Sequence, residues 1–198
     1  MFRRGLVQLL SLEPQVAVIH EAEDGSQALA HIRDHSVDVI ILDISMPGRN
    51  GLDILKDIKR LQPHVAVIVL SMHSADQYAV RVLKAGASAY ITKESAPEVL
   101  IDAIRKAARG ERYISPDVAE LLADFVEHGP SDEPHKLLSD REFEVLRLIA
   151  SGNAITEIGE KLCLSVKTIS TYKSRITEKT GLSSAADMAR YAIEHGLI

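Results

Sequence analysis

The chain has no tryptophan, three phenylalanines and a single cysteine among its 198 residues. One thiol excludes an internal disulfide and any zinc site built on several cysteines. The eight histidines contain no H-E-x-x-H pattern, and the eleven glycines form neither G-x-G-x-x-G nor a P-loop. Zinc-protease and nucleotide-binding chemistry therefore have no local support. The longest apolar run, residues 65–70, is far short of the ~20 residues of a membrane helix. No charged-then-apolar signal segment opens the chain, so a cytoplasmic location with no membrane partner is expected. Neither sign of charge dominates: 23 basic and 28 acidic side chains give a net charge of −5. With 46% hydrophobic and 26% charged residues, the composition is that of a globular chain, not of a disordered or collagen-like one. Its length suits one domain of ordinary size plus a small second one.

What is present is unevenly distributed. Residues 1–116 carry 14 basic and 14 acidic side chains, 117–138 carry a net −5, and 139–198 are neutral with 8 of each sign. Within the last part, residues 165–180 hold Lys167, Lys173, Arg175 and Lys179 against Glu178, a local +3. A basic helix on a neutral domain suits a focused contact with phosphate. In the first part, strand-like apolar runs at 16–20, 37–42, 65–70 and 87–91 alternate with helical patterns near 26–33, 52–61, 75–85 and 97–108. Nearly all-apolar strands alternating with helices predict a parallel sheet covered on both faces. Gly129-Pro130-Ser131-Asp132-Glu133-Pro134 reads as a linker, and the pattern beyond it is helical.

Three strand ends carry chemistry. In an open α/β sheet the carboxyl ends of the strands face the ligand crevice. The run ending at Leu42 leads into Asp43, the next strand ends in Ser71, and the last is followed by Thr92 and Lys93. Each has a bland reading: a loop cap, a turn residue, an exposed charge. Together a carboxylate, a hydroxyl and an ammonium on successive strand ends form a constellation for phosphoryl chemistry.

Leu42-Asp43-Ile44-Ser45-Met46-Pro47-Gly48, Leu70-Ser71-Met72-His73 and Gly86-Ala87-Ser88-Ala89-Tyr90-Ile91-Thr92-Lys93 resemble the motifs of bacterial response-regulator receivers. The resemblance implies that Asp43 accepts a phosphoryl group from a sensor histidine kinase. It further implies that Ser71 and Lys93 contact the phosphoryl oxygens, and that Tyr90 moves with Ser71 to rearrange a dimerising face. Receivers of this kind open with a strand ending in two acidic residues that hold Mg²⁺. Here the chain begins on what reads as the following helix, so Asp43 is the one expected Mg²⁺ ligand in place. Glu23 and Asp24 follow a different strand. The missing strand belongs between 16–20 and 37–42. Either the natural chain starts upstream of Met1, or the receiver has diverged from phosphate chemistry.

In the last part, Ser139 and Glu142 have the spacing of a capping box, with Phe143, Leu146, Ile149 and Ala150 on one helical face. Gly152 is placed to end that helix. Residues 155–162 predict a second helix and 166–179 a third, capped by Ser165, with Ile169, Tyr172 and Ile176 inward. Two short helices and a tight turn before a basic helix match a helix-turn-helix. The alternative is an ordinary amphipathic helix with a solvated face. Leu138-Ser139-Asp140-Arg141-Glu142 and Ser165-Val166-Lys167-Thr168-Ile169-Ser170-Thr171-Tyr172-Lys173-Ser174-Arg175 resemble the LuxR-type DNA-binding domain. That resemblance implies that Ser170, Thr171 and Ser174 approach base edges while Lys167, Thr168, Lys173 and Arg175 contact the DNA backbone. It also implies that Met188 and Ala192 on the last helix, about 185–195, supply dimer contacts. Ala154-Ile155-Thr156 departs from the pattern, lacking its hydroxyl cap and lysine. Cys163, between Leu162 and Leu164, reads as a packed side chain.

The expected architecture is an α/β receiver, a flavodoxin-like parallel sheet truncated at its N-terminus, over residues 1–116. An acidic helical linker follows at 117–137, then a small all-α helix-turn-helix domain at 138–198. The expected function is a non-enzymatic two-component response regulator and transcription factor of the LuxR/FixJ class, a homodimer on double-stranded DNA, controlled at Asp43. A phosphorylation-independent DNA-binding regulator, using the receiver remnant for dimerisation, is the alternative. A flavodoxin-like enzyme fused to a DNA module would need a cofactor loop, and none is visible.

Overall fold

The computed structural model describes residues 2–44, 50–72, 74–128 and 133–198. Their apolar runs fold into three parallel strands, β1 (Val39–Asp43), β2 (Ala66–Ser71) and β3 (Ala89–Thr92), side by side in chain order. The register sets Asp43 opposite Leu70, and Ser71 opposite Thr92. All six residues of β2 are buried, as a central parallel strand with two covered faces requires. Helices α3 (Gly51–Leu61) and α4 (Ala75–Lys84) connect the strands, and α5 (Pro97–Ala108) follows β3. Ala66, Ile68, Leu70, Ala89 and Ile91 form one core face with Leu100, Ala103 and Ala107 of α5. Leu6 of α1 (Phe2–Ser11) packs at its margin. By strand alternation Val67 and Val69 point the other way, and they too are buried, as are Ile54, Leu55 and Ile58 of α3.

Helix α2 (Gly25–Asp34) is capped by Asp24, whose carboxylate accepts the Gln27 N–H at 2.9 Å. A Cβ on Gly25 would lie 2.4 Å from Ile54 Cδ1, so the bare backbone is what lets α2 approach α3. Three imidazoles gather around α2: His31 and His35 stack with centroids 4.2 Å apart, and His20 lies 4.3 Å from His31.

The strand expected at 16–20 does not form. These residues are irregular, and Val18 is 69% exposed. A parallel strand is defined by its neighbour's N–H and C=O ladder, and among the described residues no strand lies beside β1 on its outer side. Apolar character alone does not hold a chain extended.

Met1–Ile44 and Asp53–Val118 contribute to one compact unit carrying the sheet, and Ala119–Ile198 to a second, helical one. Helix α6 (Pro116–His128) spans the change. Of the linker predicted at 117–137, residues 129–132 lie outside the described residues, and 117–128 belong to α6. A short 3-10 turn (Pro134–Leu137) then leads into α7 (Asp140–Ala150), α8 (Ile155–Leu162), α9 (Val166–Thr180) and α10 (Ala185–Glu194). The predicted capping box is present: Ser139 Oγ accepts the Glu142 N–H at 3.4 Å, and Glu142 Oε2 accepts the Ser139 N–H at 2.8 Å. Phe143, Leu146, Ile158, Ile169, Ile176 and Met188 make the core of this unit.

Candidate functional site

The carboxyl edge of the sheet gathers the three predicted groups of the first unit. Asp43 ends β1, Ser71 ends β2, and Lys93 follows β3. The Lys93 ammonium is ion-paired with Asp43 Oδ2, while the Asp43 side chain stays 35% exposed. The backbone tightens the cluster, because the Lys93 N–H donates to the Ser71 carbonyl at 2.7 Å. Ser71 is fully buried. Tyr90 is also buried and points inward, its hydroxyl donating to the Ser74 carbonyl at 3.3 Å. Residues 45–49 of the expected phosphoacceptor loop and His73 lie outside the described residues. The result is a partly exposed carboxylate with its countercharge already in place.

Of the Mg²⁺ ligands the receiver resemblance implies, the described residues place one, Asp43, at this edge. Magnesium bound by protein uses one or two carboxylates together with phosphate oxygens and waters, and of the three groups gathered at this edge Asp43 is the one carboxylate. Glu23 and Asp24 are occupied elsewhere, Glu23 in an ion pair 3.5 Å from Arg3 and Asp24 in the α2 cap. Among the described residues no three His, Cys, Asp or Glu side chains are placed to hold a metal.

In the second unit α8, a turn and α9 form the predicted helix-turn-helix. The turn depends on two residues. Cys163 takes a left-handed backbone (φ 52°), and the Leu164 N–H returns to the Gly159 carbonyl at 2.8 Å. A Cβ on Gly159 would sit 2.8 Å from the Leu164 carbonyl oxygen, so only glycine permits this approach. Arg141 of α7 holds the end of α8, donating to the Leu162 carbonyl at 3.1 Å. Ser165 caps α9, accepting the Thr168 N–H at 3.1 Å. Ala154, at the start of α8, offers no cap oxygen.

Helix α9 buries Ile169 and Ile176 and half-buries Tyr172. It exposes Lys167, Ser170, Thr171, Ser174 and Arg175, with Lys173 half-exposed. Thr168 is partly withdrawn, its hydroxyl bonded to that of Ser165 at 2.7 Å. Among the described residues Lys167, Lys173 and Arg175 have no carboxylate partner, which leaves their charge available to an anion.

Three expectations need correction. Lys179, counted in the basic bias of this segment, remains exposed but has its charge taken up by the buried Glu142, which its ammonium binds at 2.6 Å. Burial alone would raise the Glu142 carboxyl, but the Lys179 ammonium and the Ser139 groups hold it below the ordinary carboxylate range. Met188 and Ala192 are fully buried within the unit and cannot supply dimer contacts. At i and i+4 they share the face of α10 that packs on α7, and the large apolar residue which α10 exposes is Ile193. Cys163 is exposed, not packed, because the left-handed turn carries its side chain outward. Sequence reasoning also missed Glu142 and Arg141 as the groups that position α8 and α9. The capping-box spacing had marked Glu142, but only as a cap.

A doubly covered parallel sheet with an Asp–Lys pair at its carboxyl edge, on one chain with a helix-turn-helix, defines a class: a phosphate-accepting regulatory domain with a DNA-reading module. The comparisons agree. Residues 1–105 match the response regulator receiver domain family, and residues 136–192 match the bacterial regulatory proteins of the luxR family. Response regulator GacA of Pseudomonas aeruginosa is 35% identical over 100% of this chain and 93% of its own length. Response regulator UvrY of Escherichia coli K12 is 34% identical over 100% of this chain and 91% of its own. Among solved structures, RcsB from Salmonella enterica serovar Typhimurium, bound to promoter rprA with the phosphomimetic BeF3−, is similar with a TM-score of 0.66 and 32% identity. The match covers 95% of this chain and 91% of that one. The chain belongs to the two-component response regulators that join a receiver to a LuxR-type DNA-binding domain. Among the described residues no helix is long and apolar enough to cross a membrane.

Proposed function

We propose that this response regulator is a cytoplasmic, non-enzymatic transcription factor whose binding to double-stranded DNA is controlled by phosphorylation of Asp43 from a sensor histidine kinase. The observation that carries the reading is the Asp43–Lys93 ion pair at the carboxyl edge of the sheet. A carboxylate oxygen of Asp43 bonds to phosphorus as the donor's P–N bond breaks, and the released imidazole takes its proton from solvent. The product carries a charge of about −1.5 to −2 where one carboxylate stood. Lys93 then pairs with phosphoryl oxygens, and Ser71 donates its hydroxyl to another. Tyr90, already inward, fills the space on that side and transmits the change to the surface. No step is assigned to Mg²⁺, for which the described residues supply one carboxylate.

The receiver is assigned to 1–116, the acidic helical linker to 117–137 and the DNA-binding domain to 138–198. Lys167, Thr168, Lys173 and Arg175 take phosphates, while Ser170, Thr171 and Ser174 face base edges. A homodimer reads two half-sites, as the RcsB dimers bound to DNA support by analogy. The test is the intact mass of the chain after incubation with a small phosphodonor. Gain of one phosphoryl group, abolished in Asp43→Asn, is expected, with a parallel rise in DNA affinity. No gain, or DNA affinity indifferent to Asp43→Ala, overturns phosphorylation control in favour of the phosphorylation-independent alternative.

A further inference from the structure

Each hydroxyl on the outer face of α9 is hydrogen-bonded to a backbone carbonyl of the same helix. Ser170 Oγ donates to the Val166 carbonyl at 2.9 Å, Thr171 Oγ1 to the Lys167 carbonyl at 3.0 Å, and Ser174 Oγ to the Ser170 carbonyl at 3.1 Å. A carbonyl oxygen can only accept, so in each pair the single hydroxyl hydrogen is spent on the helix itself. What each side chain turns outward is a pair of lone pairs. Glu178, one further turn along the same line and exposed, can also only accept. The line 170–171–174–178 is therefore an unbroken row of hydrogen-bond acceptors. It contains no Arg, Lys, Asn or Gln, the side chains that read guanine or adenine through paired contacts.

We infer that this helix reads DNA as an acceptor face: it selects bases presenting an exocyclic amine in the major groove and disfavours guanine beneath its centre. The amines are N4 of cytosine and N6 of adenine, while guanine offers only the acceptors O6 and N7. An acceptor opposite an acceptor leaves both groups desolvated without a bond. Guanine contacts are left to the cations that flank the row, Lys167 and Arg175. The inference rests on the DNA-binding reading above and adds to it which bases are chosen.

The test uses the full chain and a duplex selected from a randomised pool. Within each half-site, cytosine is replaced by pyrimidin-2-one or adenine by purine, each lacking the amine, and guanine by 7-deazaguanine, lacking N7. Ser170→Ala, Thr171→Val and Ser174→Ala are measured beside the parent; alanine at an exposed helical serine does not threaten folding. Loss of at least one amine is expected to weaken the parent about five- to tenfold, the worth of one hydrogen bond. That sensitivity should vanish in the matching variant. Sensitivity to 7-deazaguanine that a hydroxyl-removing variant abolishes would show the hydroxyls donating and overturn the inference. So would amine sensitivity that persists in all three variants. A pool yielding no preferred duplex, or a Lys173→Ala/Arg175→Ala variant binding as the parent does, overturns the DNA docking itself.

Discussion

Lys179→Met separates charge that faces DNA from charge that holds the domain together. Counted along the sequence, Lys179 is one of four cations on the basic segment; in the fold it serves Glu142. The Glu142 side chain is 3% exposed and that of Lys179 39% exposed. A hydrogen bond to a charged group contributes about 1.5–3 kcal/mol, reduced to about 1–2 kcal/mol because solvent screens the half-exposed ammonium. The methionine keeps the aliphatic stem, so the loss is electrostatic. For a domain of this size each kcal/mol moves Tm by about 4–8 °C. The variant should melt about 4–16 °C below the parent. Because Glu142 is held below the ordinary carboxylate range, the pair stabilises at neutral pH and its contribution is lost as pH falls through the folded value. The difference between parent and variant should therefore shrink in acid. The second readout is the slope of log K against log salt on duplex DNA. A lost phosphate contact lowers its magnitude by about 0.9, as Lys173→Ala should; Lys179→Met should leave it unchanged. A Lys179→Met protein that melts with the parent, or loses about one unit of slope, refutes the assignment.

Gly159→Ala should destabilise the second unit by about 1–3 kcal/mol, the usual cost of overpacking, although alanine favours a helix; thermal melting showing equal or higher stability would contradict the close approach to the Leu164 carbonyl. Met188→Ala should cost about 2–5 kcal/mol by opening a cavity and leave the sedimentation behaviour of the folded protein unchanged, whereas a loss of dimer at unchanged stability would restore Met188 as an interface residue. His31 is pushed below its ordinary pKa by desolvation and then by the neighbouring His35 and His20. The unfolded chain therefore protonates first, and stability should fall as pH drops through the ordinary histidine range and level off below the folded value. Melting from pH 7.5 to 5 in the parent and in His31→Gln checks this, since the variant should lose part of the slope.

The legible parts of this fold were those whose signal is local. The runs at 37–42, 65–70 and 87–91 became strands, and the helices of the second unit begin and end close to where capping residues and periodicity place them. That Asp43, Ser71 and Lys93 come to one edge was legible because the strand ends of a parallel sheet share it; that Asp43 and Lys93 pair there was not. What escaped depends on neighbours. Residues 16–20 have strand composition but no ladder beside them. Lys179 and Arg175 look equivalent in sequence, yet the wheel of α9 turns one toward Glu142 and the other to solvent. Met188 and Ala192 differ from Ile193 only by which side of α10 meets α7. No pattern in the string distinguishes a buried apolar stripe from one reserved for a second copy.

The exposed turn at Cys163 has a practical use. Its thiol is the only one in the chain, so a maleimide dye would attach at one position without any substitution. That position lies just ahead of the helix assigned to the major groove, on a backbone fixed by the Gly159–Leu164 hydrogen bond. A fluorophore there is held at a defined point and would sense nearby duplex through quenching or anisotropy. The unmodified sequence thus carries its own reporter for the docking event on which its function depends.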